Sequence, residues 1–512
     1  MKIGIYNRYW NTCGGGENYT GSVAEILSRD HEVELISIEP VDWSRLESRL
    51  HLDLSRCTMR EWPNEPCERL SPRSSHYDLF VNSTYSSSLM PRSKKSALIC
   101  YFPHRVDALS SMRGRALQWV RELVRGNKRD LLRVGRRRGG VITPMAGVYE
   151  VEPDGRAWVS AEAVLMVSGA HSHTFKIPLW PEAYNGIETV RVDGEALPWH
   201  MEGNVLHVAC KSNGQRHSSL LSIFCKPVVM SELGLSSDSR QLGACIDTRS
   251  LKWGTEAPLK RHSSRDSLRA YDRVISISNF TSEWIERRWQ LPSTELQPPI
   301  DTNLFGFDGS PSKEKIILTV GRFFAGGHNK KHHEIASAFI RLRQEGVIPD
   351  GWRLVFVGSR HREHQMHLDY FDRLTELCSG HPIDILPDLP FSDLLTYYRK
   401  ASIYWHGAGW GERVEQFPER FEHFGMTTCE AMACACVPVV FDAAGQQEIV
   451  ASEDLGFRYS TYEMLATQMR VLVNASPESL AQIGQRAQAS IGRFARANFQ
   501  ARVKEAFRGI AY

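Results

Sequence analysis

The stretch "KIGIYNRYWNTCGGGENYTGSVAEILSRDHEVELISI", Lys2 to Ile38, sets the architecture. "KIGIY" is a short apolar run that reads as a strand. "GGGENYTGSVAEILSRD" is a glycine-rich loop opening a helix, and "HEVELISI" is the next strand. Strand, helix and strand in this order form a βαβ unit, which implies a parallel sheet flanked by helices. "YDLFVNS" and "SALICYF" add further strands, ending near Phe102. A second unit begins near residue 313, with strands "KIILTVGR", "WRLVFVGS", "IDILPDL", "ASIYWHGAG" and "CVPVVF". The pattern predicts an α/β protein with two Rossmann-like units.

Between the units the patterning changes. The run from Arg113 to Arg138 holds ten Lys/Arg against two acids, with Leu117, Trp119, Val120, Leu123 and Val124 interspersed. From 139 to 246, short apolar runs alternate with Gly, Asn, Asp and Ser, which reads as an all-β insert. The α/β pattern resumes in "YDRVISISNFTSEWIERRW" (271–289). The expected division is 1–110 with 250–305 as one split domain, 111–138 as a basic helical segment and 139–246 as the insert. The second domain follows at 306–480, then helices at 481–512 that can pack back on the first.

The 512 residues exceed what one core usually serves. A net charge of +3 does not point to nucleic acid. No apolar run reaches the roughly 18 residues of a membrane span, and the N-terminus lacks a signal-peptide pattern. Eleven cysteines without regular pairing read as reduced thiols in a cytoplasmic protein.

Several residues could carry chemistry. Gly14, Gly15 and Gly16 let backbone approach a ligand where a helix start favours an anion; a tight turn is the plainer reading. In "VGRFFAGGHNKK", Arg322, Lys330 and Lys331 follow a strand in a flexible loop where phosphate oxygens could be neutralised, or where a basic loop is simply solvated. In "FEHFGMTTCEAMACACVPVVF" (421–441), Glu422 falls in a loop and Glu430 in the helix read over "MTTCEAMACACV". Eight helical residues span roughly 12 Å, beyond the about 5–9.5 Å of paired glycosidase carboxylates. The two suit gripping separate parts of one elongated ligand. Phe424 and Gly425 lead into helix N–H groups that could face phosphate. Cys429, Cys434 and Cys436 lack a closed set of zinc ligands and read as packing. His104 follows a strand end, where it could donate to a ligand.

Together "GGGENYTGSVAEILSRDHEVELI", "VGRFFAGGHNKKHHEIASAF" and "FEHFGMTTCEAMACACVPVVFDAAGQQEIV" resemble the retaining GT-B glycosyltransferases of family 4. Glu422 and Glu430 match that family's E-x7-E motif. The resemblance covers 1–104 loosely and about 265–475 well. It implies two Rossmann-like domains facing across a cleft, with a nucleotide-sugar donor held mainly by the second. Arg322 and Lys330 would contact the donor diphosphate, Glu422 the sugar hydroxyls and Glu430 the ribose. Phe424, Gly425 and Met426 would orient sugar and phosphate through their backbone. Gly15 and Gly16 would approach from the first domain, His104 would lie near the reacting centre, and Leu386 would contact the base.

The implied reaction moves a hexose-type sugar to a glycan, glycoside or lipid-linked acceptor, with no metal and no cofactor. A nucleotide-sugar epimerase or hydrolase of the same fold, and a non-catalytic sugar-binding or assembly protein, are the alternatives. The insert lies outside the family's common core; acceptor binding, assembly and decoration are its open roles. The basic run reads either as an amphipathic contact with an anionic membrane, peripheral on its inner face, or as a solvated helix.

Overall fold

The computed structural model describes residues 1–65, 67–105, 141–149, 151–168, 174–181, 183–209, 218–231, 240–253, 265–362 and 364–512. The basic run at 111–138 lies outside them. The stretch Lys2–Ile38 forms a strand at Lys2–Tyr6, a helix at Gly15–Leu27 and a strand at Glu32–Ser37. The strands pair in parallel, Ile3 opposite Val33 and Ile5 opposite Leu35. The helix buries Tyr19, Val23, Ala24, Ile26 and Leu27, a spacing that places them on one stripe. Its first turn is closed by Glu17, whose carboxylate accepts from the Gly14 amide at 2.9 Å and the Thr12 hydroxyl at 2.5 Å.

The first sheet has seven strands, in the spatial order Thr294–Glu295, Arg273–Ser276, Lys95–Cys100, Leu79–Asn82, Lys2–Tyr6, Glu32–Ser37, Cys57–Glu61. All of its pairings are parallel. Arg273 pairs with Ala97 and Ser276 with Cys100. The chain therefore leaves the sheet at Cys100 and returns at Arg273 in the adjacent position. The strand Cys57–Glu61 was not legible: it lies at the sheet edge and is mostly exposed, so it carries no apolar run.

The second sheet runs Ile383–Pro387, Arg353–Gly358, Glu314–Val320, Ala401–His406, Val437–Phe441, Phe457–Tyr459, again in parallel. Ala401–His406 and Val437–Phe441 are buried along their whole length, as strands covered by helices on both faces must be. In chain order both sheets begin 3-2-1-4-5-6, the order of nucleotide-binding domains. Their ligand crevice lies beyond the carboxyl ends of strands 1 and 4.

Between the two halves of the first domain, the described residues from Val141 to Trp253 form strands and one short 3-10 turn. Their core gathers Val159, Leu165, Phe175, Ile177, Val190, Leu206, Leu221 and Ile223. This unit is fastened to the first domain by an ion pair of Arg92 Nε with Asp193 Oδ1 at 2.7 Å, the Arg92 side chain having no exposure. The chain crosses between the α/β domains twice, and the crossings pair: Ile300 N donates to Phe494 O and Arg496 N to Ile300 O, each at 2.9 Å. The final helix, Arg496–Ala506, lies against the first domain, with Phe499 against Tyr19 and the Arg273 guanidinium donating to Ala506 O.

Two expectations need correction. The helix at 426 ends at Ala433, and Ala435 takes φ +57°, so Cys434 and Cys436 lie past the helix instead of within the expected "MTTCEAMACACV" helix. Lys331 is not in a flexible loop. It is the buried N-cap residue of the helix His332–Gln344.

Candidate functional site

The carboxyl ends of Glu314–Val320 and Ala401–His406 are neighbours. The loops that follow them, 321–331 and 407–425, meet there. Gly425 ends the second loop at φ +117°, where an added Cβ would come 2.8 Å from Gln446. That conformation strains any L side chain, so glycine is required to turn the loop into the helix Met426–Ala433.

Glu422 is the centre of this junction. Its carboxylate is ion-paired with Lys330 and lies 2.9 Å from His406 Nε2. Burial alone would push this carboxyl up. The charge of Lys330 and the hydrogen bond with His406 overcome burial and hold it well below the usual carboxylate range. His406, at the end of a buried strand, is pushed down by burial, with Glu422 opposing. His328 is pushed down to about 4 by burial and by Lys330. It stacks on His423 at 4.8 Å, and His423 stacks on Phe102 of the first domain at 4.1 Å and 11°. Burial likewise depresses His423. Three imidazoles that burial depresses thus stand near one largely buried ion pair, His406 in direct contact with it.

Glu430 behaves oppositely. It is half-buried, accepts from the Tyr398 hydroxyl at 2.8 Å, and is raised to about 7 because desolvation by the surrounding protein outweighs that bond. It lines a cavity of about 290 Å³ between the domains, together with Gly14, Gly15, Arg49, Met426, Thr427 and Arg496.

The structure therefore brings Gly15, Met426 and Glu430 to one cavity and pairs Lys330 with Glu422. Arg322 stands exposed at the same strand end; it has no ion pair with a described residue, and its guanidinium lies 5.3 Å from the Phe324 ring. Phe424 is buried, edge-on to Phe494 at 5.3 Å. Gly16 stands against Tyr101, whose hydroxyl donates to its carbonyl at 2.8 Å. His104 packs edge-on against Trp289 at 5.2 Å, where Arg288 links Pro103 O to Glu419 of the second domain. Leu386 lies in the outermost strand of the second sheet, half-buried and outside the cavity lining.

Sequence reasoning missed His406, His328, His423, Arg49 and Arg496. His406 ends "ASIYWH" and His328 sits in "GGHNKK"; a polar residue closing a buried strand was the available signal for the first. Arg49 and Arg496 reach the cavity from elements remote in sequence, so no local signal existed. The cysteine thiols donate to carbonyls, Cys434 to Phe305 and Cys436 to Tyr398 and Ala401. Among the described residues no group of three metal-ligating side chains converges in this cleft.

Residues 301–490 match the family model described as Glycosyl transferases group 1. Among curated relatives, the GDP-Man:Man(3)GlcNAc(2)-PP-Dol alpha-1,2-mannosyltransferase of Xenopus laevis is 24% identical over 243 residues, covering 45% of this chain and 47% of that one. The lipopolysaccharide core biosynthesis mannosyltransferase LpsB of Rhizobium meliloti (strain 1021) is 24% identical over 267 residues, covering 50% and 70%. The chain thus spans about half the length of the first of these relatives. Among solved structures, Anabaena Alr3699/HepE in complex with UDP superposes with a TM-score of 0.50 at 13% identity, covering 99% of both chains. The fold is the α/β GT-B fold, two parallel-sheet domains facing across a cleft. No described helix is long and apolar enough to cross a membrane.

Proposed function

We propose that the protein is a retaining glycosyltransferase of family 4, moving a hexose-type sugar from a nucleotide-sugar donor to a glycan, glycoside or lipid-linked acceptor. The observation that carries this reading is the convergence of Glu422 with Lys330, and of Glu430 with Gly15, at one domain junction, with Lys330, Glu422 and Glu430 inside the matched region and Gly15 supplied by the first domain. Arg322 and Lys330 meet the donor diphosphate, whose oxygens compete with Glu422 for Lys330. The released carboxylate then accepts from the sugar hydroxyls, and Glu430 accepts from the ribose. His104 faces the reacting side from the first domain, and Leu386 borders the base. In transfer, the bond from the anomeric carbon to phosphate oxygen breaks while the acceptor oxygen bonds on the same face. The acceptor proton passes to the departing phosphate. Cationic side chains aimed at that phosphate stabilise the charge developing on it, which supports a metal-independent reaction.

The name of the Xenopus laevis relative makes GDP-mannose the first donor to try, and the UDP-bound neighbour adds UDP-sugars. A screen of labelled UDP-, GDP-, ADP- and dTDP-sugars with glycan, glycoside and lipid-linked acceptors tests the reading. Labelled sugar on an acceptor with retained anomeric configuration is expected. Nucleotide release with no sugar on any acceptor would instead favour a hydrolase of the same fold. A cytoplasmic location, peripheral on the inner face of a membrane, goes with a lipid-linked acceptor.

Glu430 makes a pH prediction. With its carboxyl raised to about 7, it is ionised above that pH and neutral below it. The ionised form accepts ribose hydroxyls more strongly. Donor KM therefore rises as pH falls from 8 to 6, by up to about tenfold per unit below the carboxyl's own value, and Glu430→Gln shows a flat profile. The stability sign is opposite. The fold disfavours the charged carboxyl, so its contribution falls as pH rises from the ordinary carboxylate range through 7. Glu430→Gln should raise the melting temperature more at pH 8 than at pH 5.

A further inference from the structure

We propose that His200, Glu202 and His207 form a binding site for a first-row divalent metal ion of the Zn²⁺ type, on the β unit and outside the cleft. The three stand on a hairpin of Trp199–Glu202 and Val205–Ala209. His200 is directly opposite His207, and Glu202, two residues on, shares the face of His200. The alternate residues Trp199, Met201, Leu206 and Val208 join the core of the unit, so strand alternation commits the three polar side chains to the outer face. A two-residue loop closes the hairpin, with Gly203 at φ +58°, a left-handed position that such loops demand. The cross-strand pair is therefore held by backbone, before any ligand arrives.

The donor atoms of the three side chains all lie within 4.8 Å of one another. His207 Nε2 is 3.1 Å from Glu202 Oε2, and the two imidazoles stack at 4.9 Å and 27°. A tetrahedral ion with bonds of about 2.0–2.1 Å places its donors about 3.3 Å apart. Closing the site requires shifts of about 1.5 Å at most by that measure, and His200 and Glu202 are both exposed and can move. His207, only 8% exposed, is the fixed member. Two imidazoles and one carboxylate suit Zn²⁺, Ni²⁺ or Cu²⁺, whereas Mg²⁺ and Ca²⁺ prefer oxygen donors. Three ligands leave a position for water or for a group from another molecule. Lys176, exposed and opposite His207 on the third strand, weakens the site through a screened positive charge. The hairpin contributes no residue to the interdomain cavity, so occupancy is separable from the proposed transfer chemistry.

Calorimetric titration of the chelator-treated 512-residue chain with Zn²⁺ tests this, with Co²⁺ absorption reporting coordination geometry. One Zn²⁺ per chain is expected. His200→Ala should weaken it at least about tenfold, because even residues that merely support metal ligands cost that much. Glu202→Gln should weaken it as well, and His364→Ala should not. His200 is exposed, so its variant is expected to keep the wild-type far-UV spectrum. The proposal is overturned if the wild type takes up no Zn²⁺, or if His200→Ala and Glu202→Gln, with wild-type spectra, both bind it as the wild type does.

Discussion

Glu422→Gln destabilises the protein by about 3–5 kcal/mol, the cost of leaving one partner of a buried ion pair alone. Lys330 loses its counter-charge, and the amide is a weaker partner for it and for His406. Turnover falls by roughly 10–100-fold, the effect of weakening a hydrogen bond to a charged group. Two measurements check this. Adding Lys330→Met to Glu422→Gln should restore part of the lost melting temperature, since no unpaired charge remains; strict additivity would contradict the pairing. The carboxyl is depressed in the fold, so its stabilisation is present above the ordinary carboxylate range and is lost as pH falls through its lowered value. The stabilities of wild type and Glu422→Gln should therefore converge below about pH 4.

Arg322→Ala separates chemistry from stability. The side chain is exposed, with its guanidinium near the Phe324 ring and no ion pair among the described residues, so unfolding free energy should change by less than about 1 kcal/mol. If Arg322 stabilises the departing diphosphate, kcat falls by about 10²–10³. Lys331→Ala is the counterpart. Its ammonium is buried and paired with Glu412 at 2.9 Å and Glu334 at 3.4 Å, so this variant should lose stability with a smaller loss in kcat. The reverse ranking in steady-state kinetics would exclude Arg322 as the leaving-group residue.

The α/β plan was readable because it is written locally. An apolar run of five or six residues, a glycine loop and a helical stripe repeat along the chain, and each needs only its own neighbours to be recognised. The split of the first domain was visible for the same reason, as a change of period after His104. The edge strand Cys57–Glu61 was not, because half-exposed edges carry no such run. Within the site, Glu422 and Glu430 stood out by spacing. Their environments did not: one is held ionised by Lys330 and His406, the other is pushed to about 7 by burial, against the hydrogen bond from Tyr398.

Composition and period thus pointed to two parallel-sheet domains, a β-rich interruption and the glycines, cations and carboxylates that gather at the domain junction. Folding alone assigned the partners. His406 joins Lys330 at Glu422 because adjacent strands end together, and Gly15 meets Glu430 because the two domains close over one cavity. Strand period depends on the next few residues. Charge state depends on which distant groups share a buried space, and only the packed chain brings those groups within a few ångströms.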